Sequence, residues 1–107
     1  MLIGIVGGLE RSEQDFHRLA KRLGCTIEFH SGHMGGRGAA TLDRTIERAE
    51  LVVIVTDLNS HGAVQQARRR VRELQRPSLL VRRFGIAQLS ALLADLERRG
   101  EVTRQSA

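Results

Sequence analysis

Residues 51–55 read LVVIV, five apolar and mostly β-branched positions in a row. A strand with one wet face alternates polar and apolar side chains, so a run with no polar position has to be covered on both faces. Such a strand belongs in the middle of a parallel sheet with helices above and below it. The rest of the chain supplies those helices. After LIGIV at 2–6, Ser12 reads as a cap followed by acids at Glu13 and Asp15, with Phe16, Leu19, Ala20 and Leu23 at helical spacing and Gly24 as the stop. CTIEF at 25–29 is a second strand, and Leu42, Ile46 and Ala49 mark a short second helix. Beyond LVVIV, the stretch from about His61 to Gln75 places Val64, Ala67, Val71 and Leu74 on one face, and Pro77 closes the break that follows. SLLVR at 78–82 is a fourth strand, and Ile86, Leu89, Leu93 and Leu96 give a last amphipathic helix. Short right-handed crossovers then predict an α/β fold, a four-stranded parallel sheet of order 2-1-3-4 with helices on both faces.

The expected organisation is a single domain over residues 1–99 with a polar tail at 100–107. LVVIV is also the longest apolar run, far too short to span a bilayer, so no membrane is expected. The start, MLIGIVGG, has no positive region ahead of its apolar residues, which argues against a signal peptide. The single cysteine, Cys25, has no partner for an internal disulfide and fits a buried strand position; both features suit a cytoplasmic location. The net charge of +5 points toward a polyanion, but sixteen of the seventeen cations are arginine, spread along the chain. Only three aromatics, all phenylalanine, are available for stacking on bases. Nucleic acid is therefore not the favoured partner.

In a sheet of this order the crevice lies beyond the carboxyl ends of the strands, where the first strand separates the second from the third. The residues arriving there are Gly7, Gly8 and Arg11; His30, His33 and Arg37; Thr56, Asp57, Asn59, Ser60 and His61; and Arg82 and Arg83. The flanking strand ends lie about 10 Å apart, and glycines between them leave room for side chains to meet. Three of the four histidines converge on this mouth, while His17 faces solvent. Three functions follow from that set. His30 and His61, joined by His33 and Asp57, could hold zinc, iron, manganese or copper with one position open for a small molecule. Alternatively, Gly7, Gly8, Thr56, Asn59, Ser60 and the arginines 11, 37, 82 and 83 could bind an anion or a nucleotide's phosphates. The third is a regulatory or interaction domain, self-associating through a helix face or an edge strand. No P-loop, serine nucleophile elbow or cysteine–histidine pair names a reaction, so enzymatic activity is left open.

The runs IGIVGG, HSGHMGG, VVIVTDLNSHGAV and LLVRR together resemble the bacterial family catalogued as domain of unknown function 2325, over roughly residues 2–96. The resemblance implies a cytoplasmic, Rossmann-like (flavodoxin-like) domain with a polar pocket. It carries over to Gly7, Gly8, His30, Thr56, Asp57, Ser60 and His61 and implies no particular activity.

Overall fold

The computed structural model describes residues 1–8 and 13–104. Arg11 and the expected cap Ser12 therefore lie outside the described residues, as does the tail beyond Arg104. Strands β1 (Leu2–Val6), β2 (Thr26–His30), β3 (Leu51–Val55) and β4 (Ser78–Val81) alternate with helices α1 (Glu13–Lys21), α2 (Gly38–Arg48), α3 (His61–Glu73) and α4 (Ile86–Arg98). The sheet order is β2-β1-β3-β4, and every neighbouring pair is parallel. Both are as the all-apolar strand and the short crossovers require.

Alternation along the strands divides the core in two. Ile3, Ile5, Val53 and Val55 point to one face and pack with Phe16, Ala20, Leu89 and Leu93 of α1 and α4. Val6, Val52 and Ile54 point to the other, against Leu42 and Ile46 of α2 and Ala63 and Ala67 of α3. No residue of β3 is more than 8% exposed, which is why that strand tolerates no polar position. β4 differs: among the described residues it pairs only with β3, and Leu79 and Leu80 remain 39% and 51% exposed.

Several boundaries depart from expectation: α1 ends at Lys21, short of Gly24, and β4 ends at Val81 rather than Arg82. The third helix closes two residues early, because Gln75 adopts a left-handed backbone (φ 52°) and the Arg76 N–H turns back to the Val71 carbonyl. The second strand runs one residue later, Thr26–His30, because His30 is still paired with Val6 in the parallel ladder. Beyond Gly100 the chain folds back, with Val102 buried in the α1/α4 core and Arg104 near Glu97.

Cys25 is buried in the same core, with its thiol directed at the Leu23 carbonyl. Burial pushes its pKa up, the nearby amino terminus opposing and Glu50 assisting. The thiolate is the reactive form, so iodoacetamide at about pH 8 should label native protein slowly and unfolded protein fast. The linkage has a definite sign. With the folded-state pKa raised, this stabilisation is fully present below the unfolded thiol's pKa and is lost as pH rises through the folded one. Labelling of native protein at the rate of a free peptide thiol would contradict the buried placement.

Candidate functional site

The turn after β3 organises the mouth of the sheet. The Thr56 and Asp57 amides donate to the Val81 and Arg82 carbonyls (2.8 and 3.0 Å), carrying β3–β4 pairing past the end of β4. Leu58 then takes a left-handed conformation, φ 52°, which is uncommon outside glycine and asparagine. This reverses the chain and aims Asn59 back across the strand ends. Its Nδ2 donates to the carbonyls of Val55 (2.7 Å) and Val6 (3.3 Å), and its Oδ1 accepts from the Ser60 amide (2.8 Å). Ser60 Oγ donates to the Gly32 carbonyl (2.6 Å) and caps α3 by accepting from the Ala63 amide (3.1 Å). Asn59 and Ser60 thus tie the ends of β1 and β3 to the loop after β2.

That brace explains two glycines. Gly7 and Gly32 have φ of +87° and +92°, and a Cβ on either would overlap the Asn59 carboxamide. The space between the flanking strand ends is therefore filled by Asn59 and is not open for ligands. The glycine amides that could cradle an anion are also occupied: Gly7 N–H donates to the His30 carbonyl (2.7 Å) and Gly8 N–H to the Leu58 carbonyl (3.1 Å).

His30, as the last residue of β2, points its side chain toward α2 and is only 8% exposed. Its Nδ1 accepts from the Gly32 amide (3.0 Å), which places the ring proton on Nε2; that nitrogen donates to the Gly38 carbonyl (2.8 Å) and lies 3.2 Å from Thr41 Oγ1. Both ring nitrogens are thereby engaged in holding the glycine loop onto the first turn of α2. His33 is exposed in that loop, its amide donating to Ser31 Oγ (3.3 Å), and Arg37 is exposed just before α2. His30, His33 and Arg37 border a shallow groove of about 530 Å³ on the α2 side. His61 is exposed as the first residue of α3. Among the described residues, no group of three or more His, Cys, Asp or Glu side chains could together hold a metal ion. Of the three histidines expected at the mouth, His30 is buried and His33 and His61 are exposed.

The concavity at the carboxyl ends of β1, β3 and β4 lies on the opposite, α1/α4 side. It measures about 620 Å³ and is bordered by Gly8, Val55, Asp57, Arg83, Phe84 and Gly85, together with Phe16 and Leu58. Phe16 and Phe84 touch at 6.1 Å between ring centroids and form an apolar wall. At the rim, Arg83 Nε donates to Asp57 Oδ2 (3.3 Å), with Arg82 at 4.0 Å from the other carboxylate oxygen. Thr56 is exposed beside this ion pair.

Of the expected residues, Gly8, Asp57 and Arg83 come together in this pocket. Phe16, Leu58 and Phe84 were not anticipated. Phe16 and Phe84 are two of only three aromatic residues in the chain, each near the start of a helix that follows a strand end. That position was the available signal.

Residues 2–96 match the model of a family described as uncharacterized protein conserved in bacteria (DUF2325). No curated protein matches the chain.

Proposed function

We propose that this chain, which belongs to the DUF2325 family, is a ligand-binding domain that takes a small organic acid in the pocket between α1, β3 and the β4–α4 turn. The observation that carries this reading is the pocket's make-up. A space of about 620 Å³ with Phe16, Val55, Leu58 and Phe84 along it and one charged pair at its rim has the size and character of small-molecule sites. The apolar wall suits a planar or aliphatic body. The Asp57–Arg83 pair is exposed, 81% on the arginine side, so it holds its members weakly. Arg83 can turn to a carboxylate or phosphate at little cost, assisted by Arg82, leaving Asp57 to accept from a donor on the same ligand. The left-handed Leu58 supports the reading further, because backbone strain of this kind collects at binding sites.

A histidine-centred metal site has less support, since His30 has no free ring nitrogen as placed.

The test is thermal unfolding in the presence of a panel that includes benzoate, 4-hydroxybenzoate, AMP and neutral aromatic amides. A hit should lose affinity about tenfold in Arg83→Ala, the loss of one charge-assisted contact, while His61→Ala leaves it unchanged. Stabilisation by zinc, iron, manganese or copper that disappears in His61→Ala would instead favour the metal reading. No response to any organic acid would remove the proposal.

A further inference from the structure

β4 is an edge strand whose outer rim is open. The Pro77 and Val81 carbonyls accept from Val52 and Thr56, so the odd-numbered residues of the strand direct their backbone toward β3. Backbone polar groups alternate sides along a strand, so Ser78 and Leu80 turn their N–H and C=O outward. Among the described residues, nothing closes either face beyond this edge. On the α3 side a groove of about 740 Å³ is lined by Leu80, Ser78 and Val71 with Arg68, Arg72 and Arg76. On the α4 side a second groove, about 600 Å³, runs past Leu79, Leu51 and Leu92.

The two grooves differ in charge. Arg68 and Arg72 are one helical turn apart on α3, both exposed, and Arg76 follows just past its end. Other arginines of the same helix are neutralised: Arg70 by Glu47 and Glu73, Arg69 by Glu73. Among the described residues, Arg68, Arg72 and Arg76 form no ion pair; Arg76 donates from Nη2 to the Glu47 carbonyl (2.8 Å), while its buried Nε has no hydrogen-bond partner. The α4-side groove is apolar along the strand; of the acids that border it, Asp95 is paired with Arg98 and Arg99, and Glu50 and Glu101 carry no cation to it.

We propose that β4 is a docking edge for an extended segment of another protein in which acidic residues alternate with apolar ones. The segment adds as a fifth strand on the Ser78 and Leu80 backbone groups. Period-two alternation sends its acids to Arg68, Arg72 and Arg76 and its apolar side chains to Leu79 and Leu92. A second copy of this chain fits less well. Antiparallel pairing of two β4 strands about a two-fold axis normal to the sheet puts both α3 helices on one face. Two sets of unpaired arginines then share that face, and β4 itself offers only Ser78 and Leu80 to them. Nucleic acid would use the arginines but not the outward strand edge.

The experiment begins with sedimentation equilibrium of the whole chain, then titrates a fluorescent seven-residue peptide alternating Asp or Glu with Val. A peptide of the same composition with the acids grouped together serves as control, and amide hydrogen exchange is followed on both. The expected results are a monomer, slow exchange at Ser78 and Leu80 only with the alternating peptide, and binding weakened about tenfold or more by the surface double variant Arg68→Glu/Arg72→Glu. Equal binding of the grouped peptide, or no protection at those two amides, overturns the proposal. So does a dimer in which they are already protected, which would assign the edge to a second copy. Tighter binding of a DNA oligonucleotide than of the alternating peptide would likewise overturn it.

Discussion

Gly32→Ala should destabilise the domain by about 3 kcal/mol or more, and removing the Asn59 side chain should relieve about 1 kcal/mol or more of that penalty. Two effects add at Gly32. A left-handed backbone costs an L-residue about 1–2 kcal/mol, and the new methyl also overlaps the Asn59 carboxamide. Asn59 cannot step aside freely, because its Nδ2 is held by two carbonyls and its Oδ1 by the Ser60 amide. Asn59→Ala alone should lose about 2 kcal/mol, leaving the Val55 and Val6 carbonyls short of a partner. In the double variant the overlap is gone and only the backbone term remains at position 32. The sum of the single losses should therefore exceed the double by at least about 1 kcal/mol, read from urea midpoints at constant slope. Strict additivity would mean that Asn59 does not fill the space above Gly32. Gly7→Ala should be rescued less by the same change, since its Cβ meets the Asn59 side chain but also comes within 2.8 Å of the Val55 carbonyl oxygen.

The frame was legible because its signals are local. LVVIV demands two covered faces wherever it sits, the helical spacing of Phe16, Ala20 and Leu23 does not depend on distant residues, and short crossovers leave few sheet orders. The site depends on contacts that no local pattern encodes. Asn59 acts on Gly7 and Gly32, far away in the chain, so a turn residue that looked available for ligands is in fact a brace. At β2, a single residue decided the outcome. Ending the strand at Phe29 leaves His30 in a loop, free to reach the crevice; pairing it with Val6 commits its ring to the α2 face. Arginine, present sixteen times, could not mark a binding site by its presence. The pocket's apolar lining comes from α1, the β3 turn and the β4–α4 turn, which only the assembled sheet brings together.

His30→Ala should be the most damaging of the histidine substitutions, losing about 2–4 kcal/mol with or without added metal. The ring accepts one backbone hydrogen bond, from the Gly32 amide, and donates to the Gly38 carbonyl next to Thr41. Deleting it leaves the buried Gly32 amide without a partner, at about 1–3 kcal/mol, and opens a cavity where a nearly buried ring stood, at about 1 kcal/mol; the Gly38 carbonyl keeps its bond from Thr41 Oγ1 (3.0 Å). Against a total stability of about 5–15 kcal/mol for a domain of this kind, that is a large fraction. His33→Ala and His61→Ala, both at exposed positions, should stay within about 0.5 kcal/mol of the parent. His30→Asn separates the two ends of the ring, because its Oδ1 can stand near the place of Nδ1 and keep the Gly32 amide, while nothing from position 30 reaches Gly38. Its loss should fall between those of the parent and the alanine variant, with the Gly32 amide exchanging slowly in Asn and fast in Ala. A ligand role predicts a different pattern: the metal-free alanine variant would match the metal-free parent, and the difference would appear only once metal is added. Urea unfolding of the parent and the four variants in chelator, repeated with zinc, distinguishes a histidine that fastens the glycine loop to α2 from one held in reserve for a metal.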